Sequence, residues 1–316
     1  MFDLSGRRIW VAGHRGMVGS ALVRRLARDG HDVLVAGRDR VDLQRQAEVE
    51  AFVASERPDV VVIAAARVGG IAANAARPVD FLHDNLMIEA NIMRAAADAG
   101  VAKLMFLGSS CIYPRLAPQP MAEDALLTGP LEETNQWYAV AKIAGIKLAQ
   151  AYRQQMRLDF ISAMPTNLYG PGDNYDLESS HVIPALLRKA VEARDTGAKA
   201  MTVWGSGTPL REFMHVDDLA DALVFLLEQY SEADHINVGT GQEVTIAQVA
   251  RVIADTVGFR GELVFDTSRP DGTPRKLMDS GRLLGLGWAP KIGLRDGLAD
   301  AYGHFVQSDH ARFAQP

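Results

Sequence analysis

Ile9-Trp10-Val11-Ala12-Gly13-His14-Arg15-Gly16-Met17-Val18-Gly19 runs from a short apolar segment through a glycine-punctuated turn into an amphipathic stretch. The first four residues read as a buried strand. From Met17 to Arg28, Val18, Ala21, Leu22 and Leu26 recur at helical spacing with arginines between them. Glycines at such a turn let the backbone approach a pyrophosphate, and the helix start offers free N–H groups and a positive dipole end. The spacing is G-x-x-G-x-x-G, one residue longer in its turn than G-x-G-x-x-G. No Lys-Ser/Thr pair closes the loop, which removes a P-loop ATPase. The plain alternative is a tight strand-to-helix turn, and the loop's place between a first strand and a first helix argues against it.

Outward from that loop, apolar runs alternate with helical periodicity. Residues 32–36 read as a strand, 45–56 as a helix closed by Pro58, and the β-branched run Val60-Val61-Val62-Ile63-Ala64 as a strand buried on both faces. Residues 81–99 read as a helix ending at Gly100, 104–107 as a strand, 136–155 as a helix and 160–163 as a strand. This alternation predicts an α/β fold, a doubly wound parallel sheet. After Pro165 the rhythm breaks at Gly170, Pro171, Gly172, Gly205, Gly207 and Pro209, with helices expected at 182–193, 216–229, 246–257 and 294–305. The division expected is a Rossmann domain over 1–168, rejoined by about 213–239. A smaller C-terminal α/β substrate-binding domain takes 169–212 and 240–316, and residues 308–316 are expected to fray.

Composition narrows the class. Of the residues, 48% are hydrophobic, and 33 Lys plus Arg stand against 39 Asp plus Glu, a net charge of −6. A disordered chain and a nucleic-acid binder are both disfavoured. One cysteine excludes an internal disulfide and suits a reducing compartment. Residues 1–8 have no signal-peptide core, and no stretch approaches the roughly 18 uninterrupted apolar residues of a membrane helix. A cytoplasmic protein without membrane partners is expected. The histidines, such as His83, His215 and His235, show no ligand spacing, so no metal site is expected.

Cofactor choice turns on Val35-Ala36-Gly37-Arg38-Asp39. A carboxylate there accepts ribose hydroxyls of NAD, whereas an arginine favours the 2′-phosphate of NADP. Arg38, with Arg15 from the loop, points to NADP(H), and Asp39 is the competing carboxylate one residue on. Further along, Tyr138 and Lys142 lie four apart, on one helix face. The ammonium is expected to lower a phenol pKa of about 10 toward working pH. Such a tyrosine exchanges a proton with a carbonyl or hydroxyl oxygen while hydride moves at the carbon. Leu107-Gly108-Ser109-Ser110-Cys111-Ile112-Tyr113-Pro114 follows a strand, where a doubly wound sheet lines its ligand crevice. Ser109 is placed to bond the reacting oxygen, while Ser110 reads equally well as a turn residue.

Together these features resemble the extended short-chain dehydrogenase/reductase family over almost the whole chain. The likeness also rests on Pro165-Thr166-Asn167-Leu168-Tyr169-Gly170-Pro171, Ser180-His181-Val182-Ile183-Pro184-Ala185-Leu186, the run from Trp204 to Phe213, and Pro270-Asp271-Gly272-Thr273-Pro274-Arg275-Lys276. The resemblance implies an enzyme that epimerises C3 and C5 of GDP-4-keto-6-deoxy-D-mannose and then reduces C4 with NADPH. It implies Ser109, Tyr138 and Lys142 as the reductase group, Cys111 as the base and His181 as the acid of epimerisation. Cofactor contacts are implied from Gly13, His14, Arg15, Gly16, Met17, Val18, Gly19, Arg38, Leu107, Gly108, Ser109, Ser110, Lys142, Pro165, Thr166, Asn167, Leu168 and His181. Substrate contacts are implied from Lys189, Trp204, Arg211 and Asp271, with Arg188 competing with Lys189. A homodimer packed through the helix of Tyr138 is also implied.

Two rival readings share these residues. A nucleotide-sugar 4-epimerase or 4,6-dehydratase has the same fold, although a dehydratase usually carries an acidic pair where this chain has Ser110 and Cys111. A silent NADP-binding sensor can dispense with Ser109, Tyr138 and Lys142, and all three are present.

Overall fold

A β-branched run such as Val60-Val61-Val62-Ile63 needs apolar cover on both sides. In the computed structural model, which describes residues 1–177, 179–269 and 271–308, all four side chains are fully buried. Val61 and Ile63 enter one apolar layer, Val60 and Val62 the other. Ile9 to Ala12 alternate in the same way. Of the tail expected to fray, residues 309–316 lie outside the described residues, as does Pro270.

The first half runs β1 (Arg8–Ala12), α1 (Met17–Arg28), β2 (Asp32–Leu34), α2 (Gln46–Glu56), β3 (Val60–Ile63), α3 (Ile71–Ala76), α4 (Asn85–Asp98), β4 (Lys103–Leu107), α5 (Gln136–Met156) and β5 (Phe160–Pro165). There follow β6 (Asn167–Tyr169), α6 (Val182–Asp195), β7 (Ala200–Trp204), β8 (Leu210–His215), α7 (Val216–Gln229) and β9 (Ile236–Val238). The chain ends with β10 (Glu243–Thr245), α8 (Ile246–Val257), β11 (Glu262–Asp266), β12 (Arg275–Lys276), α9 (Gly281–Gly285) and α10 (Leu294–Ser308).

One six-stranded parallel sheet has the order β2-β1-β3-β4-β5-β9. Helices α2, α4 and α5 cover one face, and α1 with α7 covers the other. Sheet growth reverses between β1 and β3, and a doubly wound sheet binds its ligand at the carboxyl ends there. Elements α6, α8 and α10 pack a separate core beside β7 paired with β11. Strand β8 pairs with β6, β10 and β12. Helix α7 and β9 return to the large sheet, and Leu283 and Trp288 pack into the same layer.

Two elements differ from expectation. The second strand stops at Leu34, because this edge strand pairs only with β1, whose register with it ends at Trp10 opposite Leu34. Arg38 therefore stands in a turn beyond the strand. The helix expected from residue 81 opens as a π-helical turn over Asp80–Asp84. There the Asn85 side chain donates to the Phe81 carbonyl at 2.7 Å, entering the backbone ladder.

Glu212 of β8 is wholly buried. Its carboxylate accepts from the N–H groups of Thr240 (2.7 Å), Gly241 (2.8 Å) and Met278 (3.3 Å). Each stranded N–H costs about 1–3 kcal/mol, so Glu212→Ala should lose about 3–5 kcal/mol in urea unfolding. A loss below about 1 kcal/mol would show that these loops hold without it.

Candidate active site

The glycine loop is shaped by close approach at the switch point. Gly13 has φ +93°, and a Cβ on it would stand 2.5 Å from the Ala65 nitrogen just past β3. A Cβ on Gly19 would run into the Gly13 carbonyl oxygen. Gly16, the N-cap of α1, meets only ordinary contact at 3.5 Å. Helix α1 starts with no side-chain cap and no carboxylate in its first turn, leaving its positive end open to an anion. Arg15 sits 3.7 Å from Asp39, both well exposed. Arg38 makes no ion pair among the described residues and stays free for a phosphate. A diphosphate with a further phosphate on its ribose fits this cradle, with His14, Met17 and Val18 completing the loop.

One strand past the switch, β4 ends at Leu107, and a tight turn follows through Gly108, Ser109, Ser110 and Cys111. Ser109 caps that turn, its Oγ accepting from the Cys111 N–H at 3.4 Å. Cys111 is buried, with 8% exposure, and burial pushes its thiol up. Lys276, Ser109 and Lys142 pull it back down. Lys142 is 2% exposed, its Nζ 5.8 Å from the Tyr138 ring centre and 4.6 Å from that of Phe106. Phe81 meets the Tyr138 ring edge-on, the centres 6.5 Å apart.

The expected lowering of the Tyr138 phenol is overturned. Burial raises it well above its ordinary value, and Cys111 and Glu89 raise it further. Lys142 is itself pulled down by burial, with Glu89 and Cys111 opposing. Tyr138 is therefore held as a phenol, suited to giving a proton rather than taking one.

His181 is the N-cap of α6. Solvent reaches it, yet surrounding protein lowers its proton affinity and Lys276 lowers it further. Lys276 thus bears on both Cys111 and His181. It lies opposite Arg211 in the β12–β8 register and makes no ion pair within 4 Å among the described residues. Sequence reasoning passed over Lys276, although it closes the 270–276 run that carried part of the likeness. Pro165 ends β5, the Thr166 N–H donates to the Val238 carbonyl at 3.0 Å, and Asn167 Nδ2 donates to the Glu212 carbonyl at 2.8 Å. The last bond ties the Asn167 amide to β8, and Leu168 packs against the layer beneath the sheet.

The substrate candidates form two groups. Lys189 Nζ lies 4.4 Å from the centre of a Trp204 ring, with Arg269 at 5.0 Å, and Trp204 is 55% exposed. Arg188 is instead occupied by Glu192 at 2.6 Å and the Tyr175 carbonyl at 3.1 Å, which leaves Lys189 as the one turned to Trp204. Asp271 accepts from Ser206 N–H (2.9 Å) and Oγ (2.7 Å), organising the Gly205–Gly207 turn. Arg211 stands near Asp271, which supports its charge against burial. Among the described residues, His215, Asp217 and Asp300 gather as metal-ligating types. His215 Nδ1 accepts from the Asp217 N–H at 3.3 Å, and its Nε2 lies 3.2 Å from Asp300.

An anion cradle at the switch point, with proton-bearing side chains one strand away, defines a short-chain dehydrogenase/reductase. The chain belongs to the NAD dependent epimerase/dehydratase family, which it matches over residues 9–239. It is 58% identical to the GDP-L-fucose synthase of Sinorhizobium fredii over 98% of each chain. With the GDP-L-fucose synthase of Escherichia coli it shares 53% identity over 96% of this chain and 98% of the relative. The structure of a GDP-L-fucose synthetase from Naegleria fowleri bound to NADP matches with TM-score 0.89 at 29% identity, over 97% of this chain and 96% of that one.

Two measurements check this geometry. Gly19→Ala should lose about 1–3 kcal/mol through overpacking, while Gly16→Ala stays within about 0.5 kcal/mol of wild type. Equal losses would place the tight contact elsewhere. With a single cysteine, whole-protein alkylation reads Cys111 alone. It should be slow at neutral pH and quicken as pH rises. Lys276→Met should slow it about three- to tenfold at fixed pH. An unchanged rate would separate the lysine from the thiol.

Proposed function

We propose that the chain acts as a GDP-L-fucose synthase, converting GDP-4-keto-6-deoxy-D-mannose to GDP-L-fucose. The observation that carries this reading is that Lys276, without an ion pair among the described residues, bears on the charge of both Cys111 and His181, while Cys111 also bears on Tyr138 and Lys142. A reductase alone has no use for the first pair. Relatives bearing that name, matched along nearly the full chain, support it.

The glycine loop, Arg38, Leu107 to Ser110, Lys142, Pro165 to Leu168 and His181 would hold NADP(H). When bound, NADPH supplies the hydride for C4. The protons at C3 and C5 flank the C4 carbonyl, so removing either gives an enolate. Ser109 and Tyr138, donating to the C4 oxygen, stabilise that enolate and later polarise the ketone. Cys111 takes the proton from one face of the sugar, helped to its thiolate by Lys276, and His181 returns a proton to the other. Tyr138, held as a phenol, then gives its proton to the C4 oxygen. Arg211 grips the diphosphate as a guanidinium fork, Lys189 and Trp204 face the nucleotide sugar, and Asp271 stands at the nucleotide end. The unit formed by 169–212 and 240–316 is the substrate-binding part.

No described helix is long and apolar enough to cross a membrane. We place the enzyme in the cytoplasm, where its thiol stays reduced. Pairing with a second copy runs through α5, on which Trp137 and Val140 remain exposed.

With the keto sugar nucleotide, NADPH absorbance should fall one for one with substrate, and much more slowly with NADH. In heavy water, Cys111→Ser should cease to incorporate deuterium at C3 and C5 while still binding NADPH. Ketone turnover without net NADPH loss would favour a 4-epimerase, and wild-type exchange in Cys111→Ser would remove the cysteine from its role.

A further inference from the structure

Glu89 is the one carboxylate among the described residues with both oxygens buried and without a hydrogen-bond partner. It projects from α4 and is 2% exposed. Its carboxyl carbon stands 2.9 Å from where a Cβ on Gly145 of α5 would be. Phe106 of β4 fills the same corner, and Lys142 Nζ lies over that ring. Carboxylate, ring and ammonium thus surround the turn of α5 that carries Lys142, one turn on from Tyr138.

An unbonded buried carboxylate is expensive, and a neutral group of the same shape commonly holds a fold as well or better. Packing alone therefore gives no reason for a glutamate here. Its neighbour does. We infer that Glu89 is a positioning residue for C4 reduction, its carboxylate keeping Lys142 an ammonium beside the Tyr138 phenol that hands a proton to the C4 oxygen. This rests on Tyr138 and Lys142 being the reductase pair.

The charges around the pair agree. Lys142 faces Glu89 from α4 and Cys111 from the turn after β4, and Tyr138 faces the same two groups. Lys276 of β12 bears on Cys111 from the far side. Burial pushes the Glu89 carboxyl up to about 7, against the downward pull of Lys142 and of the nearby Gly145 N–H. Removing the negative charge makes either proton of the pair easier to lose, whichever group titrates first. The sign of the effect is thus fixed.

The test is the pH profile of kcat for ketone reduction in Glu89→Gln and Glu89→Asp, with thermal unfolding of each. In Glu89→Gln the basic limb should move down by about one pH unit with KM little changed. Glu89→Asp should recover most of the wild-type profile. The unfolding temperature of Glu89→Gln should equal or exceed that of wild type, opposite to the loss of a structural bond. A Glu89→Gln profile overlaying wild type would overturn the inference. So would a destabilised Glu89→Gln whose activity falls equally at every pH. Wild-type enzyme that fails to reduce the ketone would instead sink the functional reading, before any variant is compared.

Discussion

The hydrogen bonds that converge on Glu212 and Asn237 hold the two halves of the molecule in register. Glu212 gathers three backbone N–H groups from beyond β9 and after β12. Asn237 of β9 takes its own set. Its N–H donates to Glu123, and its Nδ2 donates to the carbonyls of Met121 and Asp279, each at 3.0 Å. Tyr113 donates to its oxygen and meets His235 at 3.0 Å. The segment from Lys276 to Asp279 is therefore pinned from both sides, with the Leu277 N–H also bound to Gln119 at 2.8 Å. That pinning is what carries a lysine of the second half to a cysteine of the first.

Buried charge is used in two ways. Where it serves the framework it is saturated. Lys103, for example, donates to the Tyr230 carbonyl at 2.6 Å and pairs with Asp159 at 2.9 Å, and Asp159 takes Arg153 and Ser231 as well. Around Cys111, Lys142, Lys276 and Glu89 have no ion pair within 4 Å among the described residues; Glu89 and Lys142 act on one another, and both lysines act on Cys111. A saturated charge fixes geometry, while an unsaturated one remains available to a reacting group.

The sheet, the glycine loop and the Tyr138/Lys142 spacing were legible because each is written locally, in a period or a turn. The direction of the Tyr138 shift was not. It depends on burial, on Cys111 and on Glu89, which sit on other elements upstream, so adjacency to Lys142 alone gave the wrong sign. Lys276 was hidden for a similar reason: nothing beside it in sequence announces Cys111 or His181. An acid in mid-helix among the apolar residues of α4 was the visible trace of Glu89, but only tertiary packing shows which ammonium it meets. The short second strand and the π-helical turn depended on one edge register and one asparagine side chain, below what periodicity resolves.

Strand β9 closes the sheet only after β6, α6, β7, β8 and α7 have been laid down. Until residues 236–238 emerge from the ribosome, β5 is an open edge whose inner side chains are made for burial. The large sheet cannot be finished as an independent N-terminal unit during synthesis, and the nascent chain must carry that sticky edge while the intervening elements are made.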